Sequence, residues 1–253
     1  MNDLEYCINY LKKQNQIHSF LDIHDFNSFR SLMNITMPLD LDEEYYNHQD
    51  QVLKNEMLKK DLLDIHTLEY KNKIAIYKGD ITLIKADAVV NACNEKLLGC
   101  FQPLHACIDN AIHSFAGLQV RRDLIKIMDE QGYDEPNGKC KVTKGYNLPA
   151  KYIFHTVGPK VFGHITKESE IDLKKCYEAC LTMAEDMKLS SIVFPCISTG
   201  IYGYPNVEAA HLAYQTVKKY LEDHPNTSLQ RIIFNVFKEV DYHAYQRCIE
   251  TAH

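Results

Sequence analysis

The chain has 253 residues, of which 45% are hydrophobic and 25% are charged, and its formal net charge is −6. The hydrophobic fraction is typical of a globular protein with a full core, and the negative charge gives no overall attraction to nucleic acid or to an anionic membrane. We therefore expect neither nucleic acid nor a membrane among the partners of this protein.

The cysteines and the N-terminus indicate a reducing compartment. Nine cysteines are an odd number spread over a long chain, and the start MNDLEYCINYLKKQNQ lacks the features of a secretory signal. Both observations favour reduced thiols and a cytoplasmic protein. Three cysteines lie in apolar patterns, and we expect them in the core: Cys176, Cys180 and Cys196.

Residues 1–71 show the spacing of amphipathic helices. Two runs of apolar residues at helical intervals are separated by the breaker TMPLDLDEE: Phe26, Phe29, Leu32 and Met33, then Val52, Leu53, Met57, Leu58 and Leu62. We predict a helical N-terminal extension over residues 1–71.

Strands and helices alternate over residues 72–253. Five runs rich in Val, Ile and Phe predict strands, at 73–80, 86–93, 151–159, 190–198 and 231–237. Helical patterns lie between them, at 108–132, 171–188 and 206–224. This alternation predicts an α/β fold, a three-layer sandwich with a mainly parallel central sheet. Ligands bind such sheets at the carboxyl ends of the strands.

Several polar residues follow the predicted strands, and each has two interpretations. The small-residue loop STGIYGYPN is either a phosphate-binding loop or an ordinary turn before a helix. Asp80 caps a local turn or accepts a hydrogen bond from an exocyclic amino group such as that of adenine. Asn91 and Asn94 flank a tight turn, and bond either the local backbone or sugar hydroxyls.

The stretch GCFQPLHAC contains three potential metal ligands, Cys100, His105 and Cys107. Thiolate and imidazole are ligands that zinc prefers, and three of them with one open position describe a catalytic site, whereas structural sites have four. Spacing alone leaves two alternatives, a zinc site and a reduced, metal-free loop. His113 is the nearest candidate for a fourth ligand, although its helical pattern favours the core or solvent.

Three motifs in order, YKGDITLIKADAVVNACN, GYNLPAKYIFHTVGP and CISTGIYGYP, resemble the macrodomain family over residues 74–245. The resemblance implies a mixed sheet between helical layers and a crevice that binds ADP-ribose. Asp80 would then bind the adenine amino group beside the Ile81 backbone, and Phe237 would stack near the adenine. Asn91 and Asn94 would line the distal ribose, with Asn94 as the catalytic participant. The diphosphate would lie against Ser198, Thr199, Gly200, Ile201 and Tyr202.

The stretch LLGCFQPLHACIDNAIH, directly after NACN, resembles the insertion of the zinc-dependent subgroup of microbial macrodomains. Members of that subgroup hydrolyse ADP-ribose from modified proteins, so the resemblance implies Zn²⁺ in a loop over residues 99–108, held by Cys100, His105 and Cys107. Cys107 would also contact the substrate. The subgroup's context implies a mono-ADP-ribosylated partner, specifically a lipoyl-carrier protein modified by a sirtuin-like transferase.

Several alternatives remain open at this point. Zinc could activate water or position the substrate, and no general base is evident, since Asp109 and Glu95 both have local explanations. His155 lies within a strand and is expected in the core. Competing hypotheses are a non-catalytic ADP-ribose reader with a structural zinc clip, and an enzyme acting elsewhere, for example on free O-acetyl-ADP-ribose.

Overall fold

A six-stranded sheet forms the centre of the molecule, in the order β2-β8-β7-β4-β6-β5. Its strands are β2 (Ile74–Lys78), β4 (Ala88–Cys93), β5 (Lys141–Lys144), β6 (Tyr152–Val157), β7 (Ser191–Phe194) and β8 (Arg231–Val236). Neighbouring strands run parallel except β5, which is antiparallel to β6. The computed structural model describes residues 1–17 and 25–251, and it confirms the mixed, mainly parallel sheet.

Two helical layers cover the sheet, as a parallel sheet requires. Five helices form them: α4 (Ile108–Ala116), α5 (Leu118–Gln131), α6 (Lys167–Asp186), α7 (Asn206–Asp223) and α8 (Glu239–Glu250). Buried residues of α4 and α5 share one apolar cluster with one face of the sheet, and those of α6, α7 and α8 share another with the opposite face. Along β8, Ile232 and Phe234 belong to the second cluster and Ile233 to the first, as the period of two predicts.

The N-terminal portion contains three helices, α1 (Asp3–Gln14), α2 (Phe26–Ile35) and α3 (Glu43–Leu58). They bury a third apolar cluster, to which Leu118 of α5 contributes. Two short strands also join this portion to the rest, because β1 (Leu63–Asp64) pairs with β3 (Ile84–Lys85). The domain boundary near residue 71 stays a prediction.

The structure corrects several expectations about the elements. The antiparallel strand β5 and the helix α8 were not predicted, and the helical pattern at 108–132 forms two helices rather than one. Leu58, placed on an apolar helix face, is 76% exposed. The expectation for two cysteines is correct, since Cys176 and Cys180 are buried in the core, whereas Cys196 is only partly buried.

Gly117 separates α4 from α5. Its φ of +103° lies in the left-handed region, which glycine adopts at little cost. A Cβ there would come within 2.5 Å of Gln119 Oε1 and 2.7 Å of Gln49 Nε2. The break therefore comes from a backbone conformation and a close approach that the helical periodicity does not show.

No helix in the described ranges has the combination of length and apolar character needed to cross a membrane.

Asp87 ties the starts of three strands together at the amino edge of the sheet. Its Oδ2 accepts hydrogen bonds from the Ser190 N–H (2.8 Å) and hydroxyl (2.7 Å) and from the Ser191 N–H (3.1 Å), and Lys151 Nζ lies 2.7 Å from Oδ1. Burial raises the pKa of this carboxyl, but the hydrogen bonds and the charge of Lys151 outweigh it and hold the pKa far below its ordinary value.

We expect Asp87→Asn to lower the free energy of unfolding by about 1–2 kcal/mol at pH 7, because hydrogen bonds to a charged acceptor are stronger than those to a neutral one. A lowered carboxyl pKa stabilises the fold above the unfolded-state pKa, and that stability is lost as pH falls toward the folded-state pKa. The difference between variant and wild type should therefore shrink as pH falls below about 4. Urea unfolding between pH 7 and pH 3.5 measures it.

Asp223→Asn serves as the control, because Asp223 makes an exposed i,i+4 pair with Lys219. Its effect should stay below about 0.5 kcal/mol. An Asp87→Asn effect that is no larger, or one that does not depend on pH, would contradict this role.

Candidate functional site

The loops after three parallel strands meet at the carboxyl edge of the sheet. Glu95 follows β4, Lys160 follows β6 and Tyr202 follows β7. Lys160 Nζ lies 3.1 Å from both Glu95 carboxylate oxygens and 5.2 Å from the centre of the Tyr202 ring, and the Tyr202 hydroxyl donates to Glu95 at 3.5 Å. Two of the segments that sequence analysis placed at strand ends, those after β4 and β7, thus meet at Lys160.

The loop from Ser198 to Tyr204 is built to present backbone N–H groups. Ser198 has a φ of +65°, its carbonyl accepts from the Tyr204 N–H at 3.0 Å, and its own buried hydroxyl has no partner in residues 1–17 and 25–251. Within the part of the chain that the structure describes, the N–H groups of Gly200, Ile201 and Tyr202 have no hydrogen-bond acceptor. Successive unpaired N–H groups before a helix form a site that favours an anion.

Asp80 and Phe237 lie at neighbouring positions on the other side of this edge. The β2 and β8 ends are joined there by the Gly79 N–H, which donates to the Val236 carbonyl at 3.1 Å. Asp80 Oδ1 accepts from the Thr82 N–H (2.9 Å) and hydroxyl (2.7 Å) and so caps a short 3-10 turn over Ile81–Leu83. Local capping thus uses one carboxylate oxygen, and the adenine role stays a prediction. The Phe237 side chain is 81% exposed, as a stacking residue requires before its ligand binds.

Asn91 does not flank a turn, contrary to expectation. It lies within β4 with its side chain on the same face as Val89 and Cys93, and it is fully buried. Its Nδ2 donates to Asp109 Oδ1 at 2.8 Å and lies 3.3 Å from His155 Nδ1, while its Oδ1 has no partner among the described residues. The turn begins instead at Asn94.

A buried polar chain continues from Asn91 across the sheet. Burial lowers the pKa of His155 to about 3, so the ring is neutral. A neutral ring that accepts from Asn91 at Nδ1 carries its proton on Nε2, which donates to Thr143 Oγ1 at 2.9 Å. The expectation that His155 lies in the core is correct. The hydrogen bonds from Asn91 through His155 to Thr143 hold the Asn91 amide in one orientation.

The two acidic candidates for a general base differ in environment. Burial raises the pKa of Asp109 to about 6, against the hydrogen bond from Asn91 and the charge of Arg121. The pKa of Glu95 is lowered, by its own backbone N–H and then by Lys160, which makes it a weaker base. Of these two carboxylates, only Asp109 gains basicity from its surroundings.

Asn94 joins the end of β4 to the following loop. Its Nδ2 donates to the Gly99 carbonyl at 3.3 Å, and its Oδ1 accepts from the Lys96 N–H at 3.0 Å. The side chain is half-buried. Asn94 therefore fixes the backbone one residue before Cys100, and its catalytic role stays a prediction.

The three predicted metal ligands lie together. Cys100 Sγ is 3.5 Å from His105 Nδ1, and the ligand atoms of Cys100, His105 and Cys107 all lie within 4.8 Å of one another. Over residues 1–17 and 25–251 no other group of three Cys, His, Asp or Glu side chains comes as close. Burial raises the pKa of the Cys107 thiol to about 12, so a thiolate there needs a nearby cation.

His113 is not a fourth member of this group. Its ring is buried under Gly99, where a Cβ would come within 2.9 Å of His113 Cγ, and neither ring nitrogen has a hydrogen-bond partner in the part of the chain that the structure describes. Burial lowers its pKa well below the ordinary value, so its 3.4 Å approach to Asp109 is not an ion pair. Of the two expectations for His113, the core or solvent, the structure shows the core.

Sequence analysis missed two residues of this region, Lys160 and Arg121. Lys160 directly follows the GP that ends a predicted strand, which is a signal that could have been used. Arg121 is 1% exposed within a helix, and no sequence pattern distinguishes it from a surface arginine.

Comparisons with known proteins show which family has this sequence and fold. The Macro domain family model matches residues 90–213. The chain is 42% identical to the protein-ADP-ribose hydrolase of Staphylococcus aureus (strain MRSA252), over 96% of this chain and 93% of that protein.

Two solved structures share the fold. The Oceanobacillus iheyensis macrodomain with ADP is 35% identical, at a TM-score of 0.65, over 73% of this chain and 94% of that one. The Trypanosoma brucei macrodomain in complex with ADP is 30% identical, at a TM-score of 0.65, over 89% of this chain and 97% of that one. The chain therefore belongs to the macro domain family.

Proposed function

We propose that this macrodomain is a zinc-dependent hydrolase that removes mono-ADP-ribose from modified proteins. The observation that carries the proposal is the position of the Cys100, His105 and Cys107 cluster, which follows Asn94 at the carboxyl edge of the sheet. A relative with 42% identity over nearly its whole length is a protein-ADP-ribose hydrolase, and two related macrodomains bind ADP.

The three ligand atoms fit zinc. A tetrahedral zinc with bonds of about 2.3 Å to sulfur and about 2.0 Å to nitrogen separates its ligand atoms by about 3.5–3.8 Å. The Cys100 Sγ to His105 Nδ1 distance of 3.5 Å falls in this range, and the remaining separations, all below 4.8 Å, need only small side-chain shifts. Three protein ligands leave one position for water or substrate.

When bound, zinc supplies a Lewis acid that polarises a coordinated oxygen. The chain's own residues bind and orient the substrate. The unpaired N–H groups of Gly200, Ile201 and Tyr202 would donate to the diphosphate, and Asp80 and Phe237 would hold the adenine. Asn94, fixed against Gly99, would place the distal ribose beside the metal ligands.

Asp109 is the residue best suited to hold a proton near this end of the crevice. It lies two residues after Cys107, and Asn91 fixes its Oδ1. Its carboxylate would accept a proton from water or from a ribose hydroxyl, provided that substrate binding brings that group within about 3 Å.

The metal is tested by elemental analysis and by release of ADP-ribose from a mono-ADP-ribosylated protein. We expect about one zinc per chain in the wild type. Cys100→Ala should lose most of it and release ADP-ribose about 100-fold more slowly or worse, because the metal stabilises several kcal/mol of transition-state charge. Cys248→Ala, which changes a half-buried cysteine of α8, should keep both the zinc and the activity.

Two results would contradict the proposal in different ways. Unchanged release by a folded, zinc-free Cys100→Ala would leave the loop as a structural clip, with activity elsewhere such as on free O-acetyl-ADP-ribose. Binding of ADP-ribose by the wild type without release from any acceptor linkage would make the protein a reader.

The diphosphate loop is tested separately with Gly200→Ala. No described atom lies within 4 Å of the Cβ position, so the free energy of unfolding should change by less than about 0.5 kcal/mol. The affinity for ADP-ribose should nevertheless fall about 10-fold, because the methyl group would occupy space where phosphate approaches the backbone. Calorimetric titration measures the affinity.

Gly132→Ala is the converse control. Gly132 ends α5 with a φ of +75°, so the substitution costs about 1 kcal/mol of stability through backbone strain but leaves the loop unchanged. Its affinity for ADP-ribose should equal that of the wild type. Equal affinities for all three proteins would show that the diphosphate does not contact Gly200.

For the acceptor we propose a lipoyl-carrier protein modified by a sirtuin-like transferase. Its support is the likeness of the 99–108 loop to the zinc-dependent subgroup. Release should be at least about 10-fold faster in kcat/KM from such a carrier than from a modified protein without a lipoyl domain, which corresponds to about 1.4 kcal/mol. Equal kcat/KM values for the two substrates would contradict this choice of acceptor.

A further inference from the structure

The loop that carries the metal ligands is held by a helix of the N-terminal extension. Asn34 of α2 is 1% exposed. Its Oδ1 accepts from the Leu104 N–H at 2.9 Å, and its Nδ2 donates to Ser114 Oγ on α4 at 3.0 Å. One buried amide therefore joins the extension, the loop and α4, and it does so at the residue directly before His105.

The backbone at this point adopts a conformation that needs support. Leu104 has a φ of +55°, a left-handed value that is unusual for a bulky residue and costs about 1–2 kcal/mol. Such conformations persist where the surroundings fix them. Two hydrogen bonds fix it: the His105 N–H donates to the Gln102 carbonyl at 3.2 Å and closes the turn, and the Leu104 N–H donates to Asn34 and ties that turn to α2.

Arg121 of α5 holds the other end of the loop. Its Nε donates to the Leu98 carbonyl at 2.7 Å, and the Phe101 ring centre lies 4.3 Å from its Cζ, so the guanidinium contacts the chain on both sides of Cys100. Its Nη1 donates to the Met33 and Thr36 carbonyls at 2.9 and 2.6 Å. These carbonyls end α2, where unpaired carbonyls favour a cation.

Asn110 of α4 completes the support. Its Nδ2 donates to the Gln102 carbonyl at 2.9 Å, its backbone N–H donates to Cys107 Sγ at 3.4 Å, and its Oδ1 accepts from Arg30 Nη2 of α2 at 3.3 Å. The segments beside all three ligands are thus bonded to α2, α4 and α5.

We propose that Asn34 and Arg121 are positioning residues that hold His105 and Cys100 in ligating geometry, which makes α2 of the extension part of the metal site. The inference rests on the proposed zinc site. A loop fixed in advance does not have to lose its conformational entropy when the metal binds. Partners that orient ligands typically contribute about 10- to 100-fold in metal affinity.

The test measures zinc affinity alone, by competition with a chromophoric chelator, on the full chain. Asn34→Leu should bind zinc about 10- to 100-fold more weakly than the wild type. Asn34→Asp should recover part of that affinity, since a carboxylate oxygen can still accept from the Leu104 N–H, whereas the Ser114 hydroxyl already donates to Asn110 Oδ1. Ser31→Ala, on the same helix, should match the wild type, because within the described ranges the Ser31 hydroxyl bonds only the Asn27 carbonyl.

Hydrogen exchange of the zinc-free wild type gives a second readout that needs no variant to fold. The Leu104 amide should exchange at least about 10-fold more slowly than in a free peptide of residues 99–108, because Asn34 holds it without metal. Exchange at the free-peptide rate would overturn the inference.

The outcomes separate the two proposals. A wild type that binds no zinc would overturn both. Tight binding by the wild type, with an Asn34→Leu affinity within twofold of it, would overturn the positioning role and leave the zinc proposal standing.

Discussion

The parallel alignment of the five strands β2, β4, β6, β7 and β8 is the constraint on which the rest of the molecule depends. Parallel neighbours place all their carboxyl ends at one edge, so the loops after β4, β6 and β7 meet there. At the opposite edge Asp87 fixes the starts of β4 and β7 against each other. The parallel alignment of the strands therefore brings Glu95, Lys160 and Tyr202 together, and Asp87 helps to fix that alignment from the opposite edge.

Residue patterns predict the elements of this sheet where burial is complete. A parallel strand covered on both faces is a continuous apolar run, and four of the six strands have that form. The edge strand β5, with the sequence KVTK, is short and half polar, so no apolar run marks it. The helix break at Gly117 depends on contacts with Gln49 and Gln119, and the first of these is distant in sequence.

Sequence predicts one part of the candidate site and not another, for the same reason: local patterns can be read, but contacts between distant segments cannot. The metal cluster can be found from sequence because its three ligands lie within eight residues, so a short loop suffices to bring them together. The hydrogen-bonded series from Asp109 through Asn91 and His155 to Thr143 cannot be found from sequence, because its members come from four separate elements. Asn91 illustrates the limit: alternation along β4 gives its face, but only the packing of α4 gives its partner.

Buried polar groups link the extension to the metal loop through directional contacts, in addition to the apolar cluster that the extension shares with α5. Arg121 keeps its charge in the interior because three carbonyls accept from it, those of Met33 and Thr36 in the extension and that of Leu98 just before the metal loop. The nearby Asp109 carboxylate also favours the charged form. A desolvated guanidinium without acceptors costs several kcal/mol. Moving either the end of α2 or the start of the metal loop away from Arg121 removes acceptors from the guanidinium and so incurs part of this desolvation free energy. The positions of α2, α5 and the start of the metal loop are therefore energetically coupled. Apolar contacts, being non-directional, would let these segments slide past each other, whereas three hydrogen bonds to one planar group fix their distances.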